Sequence, residues 1–213
     1  MPEYAELLNG YRRFREGVYP RQRERFEQSV VEGQHPKLMI IGCSDSRVDP
    51  AQIFDVDPGE IFVVRNVAAL VPPFEKTPGY HGVSAAVEFA VQMLEVKQIL
   101  VMGHGRCGGC AAALTENYSG SEHGDGGFIA AWIKLLDEAR EPVARKHGTT
   151  GRKAELAMEF AAIRQSLANL RTFSWVAEKE RSGTLKLRGA HFSIKEGVLY
   201  SLDEETGEFL PED

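Results

Sequence analysis

Two short segments carry side chains able to do metal chemistry, Cys43-Ser44-Asp45-Ser46-Arg47 and His104-Gly105-Arg106-Cys107. Two thiols and an imidazole make three corners of a tetrahedral zinc site, here Cys43, His104 and Cys107. A fourth corner left open for water or substrate is what catalytic zinc requires. His104 and Cys107 are close enough in sequence to share one strand-to-helix turn, whereas Cys43 arrives from another strand. Cys110 is a rival third thiol. Cys43 is preferred because its neighbours bring chemistry of their own. Asp45 and Arg47 lie two apart, which in extended backbone puts them on one side. A carboxylate beside a guanidinium stays ionised and oriented.

Two other patterns share the second segment. Gly103-His104-Gly105-Arg106-Cys107-Gly108 fits G-x-G-x-x-G, but a dinucleotide site also needs an acid closing a second strand about twenty residues on. That place holds Ser121-Glu122-His123-Gly124-Asp125, a loop sequence. Cys107-Gly108-Gly109-Cys110 is a C-x-x-C of the kind that forms redox pairs. It leaves Cys43, His104 and the Asp45/Arg47 pair without work. The zinc set uses them all.

Each segment follows an apolar run that reads as a buried strand, Lys37–Ile41 and Gln98–Met102, with Glu60–Arg65 as a further strand. Strands ending side by side in an open α/β sheet bring their carboxyl edges together, where ligands bind. Gly82–Leu94, Phe128–Arg145 and Lys153–Arg181 read as helices. In the last, Phe160, Ile163, Leu167, Leu170, Phe173 and Val176 recur at helical spacing. Asn117–Gly127 reads as a mobile loop. Thr184–Ile194 and Val198–Leu202 read as a hairpin across Lys195-Glu196-Gly197. Gly189, where the apolar parity shifts, is a candidate bulge. The acidic tail from Asp203 reads as frayed. Residues 3–31 form a helical arm broken at Pro20. The expected fold class is α/β, a mainly parallel central sheet flanked by helices, with an N-terminal helical arm and a C-terminal hairpin. The arm would span 1–32 and a single domain 33–213.

Composition narrows the function classes. With 213 residues and 43% apolar content, one well-buried domain is affordable. A net charge of −6 argues against nucleic acid as a partner, and the arginines between Arg12 and Arg25 are interleaved with acids. No run approaches the ~20 apolar residues of a membrane span, and no signal peptide is evident. Three cysteines are too few for a disulfide scaffold, so a cytoplasmic location is expected.

Cys43-Ser44-Asp45-Ser46-Arg47, Phe62-Val63-Val64-Arg65-Asn66-Val67-Ala68 and Gly103-His104-Gly105-Arg106-Cys107-Gly108-Gly109 together resemble the β-class carbonic anhydrases. The similarity runs from about Gly33 to Leu202. It implies a zinc enzyme interconverting carbon dioxide and bicarbonate, with Zn²⁺ on Cys43, His104 and Cys107. It implies that Asp45, held by Arg47, orients the water that attacks. It implies that Gln34 offers an amide to the substrate, that Phe62, Val67 and Phe89 form an apolar pocket, and that Gly108 lines it. It implies a homodimer or dimer-based tetramer whose arm packs on a neighbour. Where some members carry tyrosine, this chain has Phe89. One subgroup closes its site with bicarbonate held on a tryptophan, an arginine and a tyrosine; the matching positions here are Ile40, Arg65 and Phe192. Only the arginine is kept, so the fourth zinc position is expected to be open. Hydrolysis of carbonyl sulfide or carbon disulfide and a non-catalytic zinc assembly are the other function classes, and the Asp45/Arg47 pair speaks against the second. His81 and His123 are the loop histidines that could carry the released proton.

Overall fold

Short apolar runs bounded by turn residues become strands when both faces can be buried, and four strands pair here in parallel. In the computed structural model, which describes residues 3–117 and 127–212, the chain opens with α1 (Tyr4–Arg13) and α2 (Tyr19–Glu32). Then follow β1 (Leu38–Cys43), α3 (Pro50–Ile53), β2 (Ile61–Asn66), α4 (Gly82–Glu88) and β3 (Gln98–His104). Next come α5 (Gly108–Thr115), α6 (Phe128–Ile133), α7 (Asp137–His147), α8 (Arg152–Leu170) and α9 (Ser174–Arg181). The chain closes with β4 (Lys186–Ser193), β5 (Val198–Leu202) and β6 (Phe209–Pro211). The sheet order is β2-β1-β3-β4-β5-β6; the first four strands are parallel and the last two antiparallel.

One apolar cluster joins Met39, Ile41, Ile99 and Val101 of the sheet to Val87, Val91, Leu167, Leu170 and Val176 of the helices. A second gathers at the carboxyl end of the strands, where Cys43, Cys107 and Cys110 pack with Leu114, Leu136 and Met158. The site is therefore walled by core.

The expected α/β class holds, with four local corrections. The long helix divides, because Thr172 Oγ1 donates to the Asn169 carbonyl at 2.6 Å and Phe173 takes extended backbone before α9. Pro20 does not break the arm. A π-turn at Phe14–Val18 precedes it, and the proline occupies the first turn of α2, where an N–H is not needed. Gly189 is no bulge: β4 runs through it in unbroken register, and the glycine is required because a Cβ there would lie 2.9 Å from Ile163 Cγ2 and 3.0 Å from Leu167 Cδ1. The tail from Asp203 is not frayed along its length, since Phe209–Pro211 pairs with β5. Most of the glycine-rich Asn117–Gly127 segment, His123 included, lies outside the described residues.

Candidate metal centre and active site

Cys43 ends β1, His104 ends β3, and Cys107 is the N-terminal cap of α5. Parallel pairing of β1 with β3 brings these ends together, and the three donor atoms lie within 4.8 Å of one another, all on buried residues. His104 Nδ1 bonds the Gly105 carbonyl at 3.0 Å, which fixes that nitrogen as the protonated one. Nε2 is thus a bare lone pair, buried and without a hydrogen-bond partner. A buried polar atom of that kind is costly unless something binds it. Among themselves the thiols resist ionisation. The Cys43 thiol is pushed up to about 12, first by its hydrogen bond with Cys107 and then by burial. Cys107 is likewise pushed up to about 12, first by Cys110. A divalent cation at their focus reverses that preference, because thiolates and a neutral imidazole are what zinc binds. The donor set fits zinc. Cys110 is buried one turn into α5 and is outside the three-donor group.

Asp45 stands beside this focus, its Oδ2 3.9 Å from His104 Nε2. Arg47 grips it with three donors: the backbone N–H to Oδ1 at 3.0 Å, Nε to Oδ1 at 2.9 Å and Nη2 to Oδ2 at 2.7 Å. The pair meets across a tight turn, not along the extended stretch that the spacing suggested. The hydrogen bonds of Arg47 hold the Asp45 carboxyl well below the usual carboxylate range. Arg65 braces the same loop. Its Nε donates to the Cys43 carbonyl at 2.8 Å, Nη2 to the Asp45 carbonyl at 2.6 Å and Nη1 to Asp49 at 2.9 Å. Ile40 is fully buried in β1, and Phe192 pairs in register with His104.

The remaining expected residues divide into two groups. Val67 follows Asn66, the register partner of Cys43, and a Cβ on Gly109 would lie 2.8 Å from Val67 Cγ1. Gly108 opens α5 beside Cys107. These two adjoin the metal loop. Phe62 pairs with Met39, four residues before Cys43, and stacks obliquely on Phe89 at 5.8 Å. At the rise of a strand that is roughly 13 Å from Cys43, and Gln34, which precedes β1, lines a cleft with Lys37, Gly59 and Glu60 at the start of β1 and β2. Gln34, Phe62 and Phe89 thus sit at the opposite end of the sheet from the ligands of their own chain. His81 is tied to Thr77 and lies 3.4 Å from Glu75.

Residue patterns alone did not single out Glu159, which is 2% exposed and bonded to Arg152, His191 and the Arg106 N–H. Its signal is an acid on the buried stripe of α8, along with Ser166 and Asn169. Those two anchor the backbone of Ala69 and Val71. This holds the turn after β2, where Ala68 and Ala69 take positive φ.

Two thiols and an imidazole converging at the carboxyl edge of a parallel sheet, with a clamped aspartate beside them, make a donor set suited to catalytic zinc. The family model for carbonic anhydrase matches residues 38–199. The structure of the β-carbonic anhydrase CcaA is similar over 98% of both chains, with 32% identity and a TM-score of 0.89. The Coccomyxa β-carbonic anhydrase, solved with acetazolamide, has 28% identity over all of this chain and 95% of its own, with a TM-score of 0.80. β-carbonic anhydrase 6, mitochondrial, of Arabidopsis thaliana is 33% identical over 90% of this chain, and this chain spans 64% of that protein's length. The chain belongs to the β-class carbonic anhydrases.

Proposed function

We propose that this chain interconverts carbon dioxide and bicarbonate on a zinc ion held by Cys43, His104 and Cys107. The observation that carries the reading is the bare His104 Nε2 converging with two thiols beside a clamped Asp45. Zinc at that position supplies a Lewis acid that makes water nucleophilic near neutral pH. Asp45, kept ionised by Arg47, accepts a hydrogen bond from the attacking water and so aims its lone pair. Arg65 fixes the carbonyls of Cys43 and Asp45 and keeps that aim constant. Val67 and Gly108 offer a small apolar wall, which suits an apolar gas.

Gln34, Phe62 and Phe89 act in this reading from a second copy of the chain. Phe89 is 43% exposed, and several apolar residues of the arm are uncovered: Leu7 is 58% exposed, Tyr11 54% and Val31 87%. No residue of α1 or α2 is buried. A groove of about 720 Å³ opens beside Val67, lined by Pro72, Tyr80, Phe128 and Trp132. Uncovered apolar residues grouped in this way support an interface between copies of the chain. A homodimer or dimer-based tetramer would place one chain's Gln34 amide where charge develops on the substrate of the other. The three free thiols support a cytoplasmic location.

The test is stopped-flow hydration of carbon dioxide by protein of measured zinc content. One zinc per chain with a proportional rate supports the reading. Zinc-loaded protein without hydration activity overturns it.

A further inference from the structure

Arg106 lies between two metal ligands, His104 and Cys107, with a φ of +59. Residues with a Cβ avoid that left-handed region, so something must hold it there. Glu159 of α8 does so from behind the loop: its Oε1 accepts the Arg106 N–H at 2.7 Å. The carboxylate is itself fixed on every side. Arg152 donates to Oε1 at 2.8 Å and to Oε2 at 3.2 Å, and His191 Nε2 donates to Oε2 at 2.9 Å. Burial alone would push this carboxyl up, but the hydrogen bonds from His191 and Arg152 outweigh it and hold it below its ordinary range.

The same Arg106 also reaches the acid pair on its other side. Its carbonyl accepts from Arg47 Nη2 at 3.3 Å, and that nitrogen grips Asp45. Gly105, one residue earlier, is pinned to β4 by its N–H on the Phe192 carbonyl at 2.9 Å. A buried ionised carboxylate is expensive. Among the described residues this one has no hydrogen bond to the thiols or to Asp45, yet it sets a backbone unit shared by the ligand loop and the Asp45/Arg47 pair. Groups one layer behind metal ligands control how those ligands are presented.

We propose that Glu159 is a positioning residue of the metal loop. Its carboxylate holds Arg106 in the left-handed backbone, which sets His104 and Cys107 at their spacing and presents the Arg106 carbonyl to Arg47. The inference rests on the zinc reading above.

The experiment measures zinc release, not turnover. Zinc-loaded wild type, Glu159→Gln, Arg106→Asn and the double variant are each mixed with excess chelator and a chromogenic zinc indicator. Glu159→Gln keeps the shape and one oxygen for the Arg106 N–H but loses the charge that Arg152 and His191 orient. It should release zinc about tenfold faster than wild type, within the range typical of groups behind a ligand. Asparagine enters the left-handed region more readily than arginine. In the Arg106→Asn background the same change should therefore accelerate release by less than about threefold, a coupling read as in a double-mutant cycle. Loaded with cobalt(II), Glu159→Gln should show shifted ligand-field bands, and the double variant should return toward the spectrum of Arg106→Asn alone. Equal acceleration in both backgrounds, or none in either, overturns the proposal. If Glu159→Gln does not fold, Arg152→Gln, at a half-exposed side chain, carries the same comparison with the same criteria. Failure of the wild type to hold one zinc would sink the zinc reading itself. A zinc-loaded set with uniform release would sink only the role of Glu159.

Discussion

Asp45 takes three hydrogen bonds from one arginine, so its charge and direction are both set. Asp45→Asn should keep zinc and lose hydration rate by about a hundredfold or more, the lower range for a positioned acid–base group. Metal analysis beside stopped-flow rates checks it, and near wild-type speed would make the pair structural. Its lowered folded pKa has a definite sign for stability. The contribution is present at neutral pH and is lost only as pH falls through the folded value, below the ordinary carboxylate range. Asp45 therefore titrates nowhere in the range of the assay. With two thiolates offsetting the metal's charge, kcat/KM should rise with pH through about 7.5–9, following one ionisation. Arg65 has Nε, Nη1 and Nη2 engaged on Cys43, Asp49 and Asp45, and Ile40 is sealed in β1, so added bicarbonate should act only as product. A steep multi-proton loss below pH 8, deepened by bicarbonate, would refute this. Among the thiols, Cys43→Ser and Cys107→Ser should lose zinc while Cys110→Ser keeps it. Retention in Cys43→Ser with loss in Cys110→Ser would reverse the assignment. These residues were legible because side-chain type and spacing carry their chemistry. The bracing role of Arg65, which the family resemblance marks only as a bicarbonate position, and the role of Glu159 were not, since they follow from which carbonyl or N–H the folded sheet and helix put beside them.

Elements were legible where one periodicity ruled. β1, β2 and β3 read as apolar runs, and their order in the chain with intervening helices implied parallel pairing. Ends were less legible: the first strand continues to Cys43 itself, because pairing with Asn66 extends it past the apolar run. The division of α8 from α9 carries no glycine or proline; it depends on Thr172 bonding Asn169 and also accepting the Phe74 N–H, from 98 residues away. Gly189 makes the same point. Its sequence signal was real, but the cause is a helix lying on the strand. Gly189→Ala would press a Cβ on Ile163, Leu167 and Leu202, the nearest atoms at 2.9, 3.0 and 3.2 Å. Overpacking of a filled core costs about 1–3 kcal/mol. The urea midpoint should fall with an unchanged slope. An unshifted midpoint would mean that α8 gives way freely, and its grip on the metal loop would then be in question.

For the whole molecule, the decisive fact is the division of the expected site across the length of the sheet. Cys43, His104, Cys107, Asp45, Val67 and Gly108 gather at one end, and Gln34, Phe62 and Phe89 at the other. No rotamer can close that gap. In the dimer proposed above a second copy closes it, and complementation tests that reading. Gln34→Ala, at an exposed side chain, removes a donor to the developing charge and should cost about a hundredfold in rate. Cys43→Ser should abolish activity with the metal. Each homodimer is then defective for a different reason. Differently tagged and co-expressed, the two variants form mixed dimers that sequential affinity steps isolate. If sites are shared, one site of each mixed dimer combines an intact metal centre with an intact Gln34 from the partner subunit. The other site carries both lesions. About half the wild-type rate per dimer should therefore return, as two-fold symmetry requires. If each chain builds its own site, the mixed dimer holds one Gln34→Ala site and one dead site, and its rate stays below that of the Gln34→Ala homodimer. The two outcomes differ by more than an order of magnitude, so partial subunit exchange does not blur them.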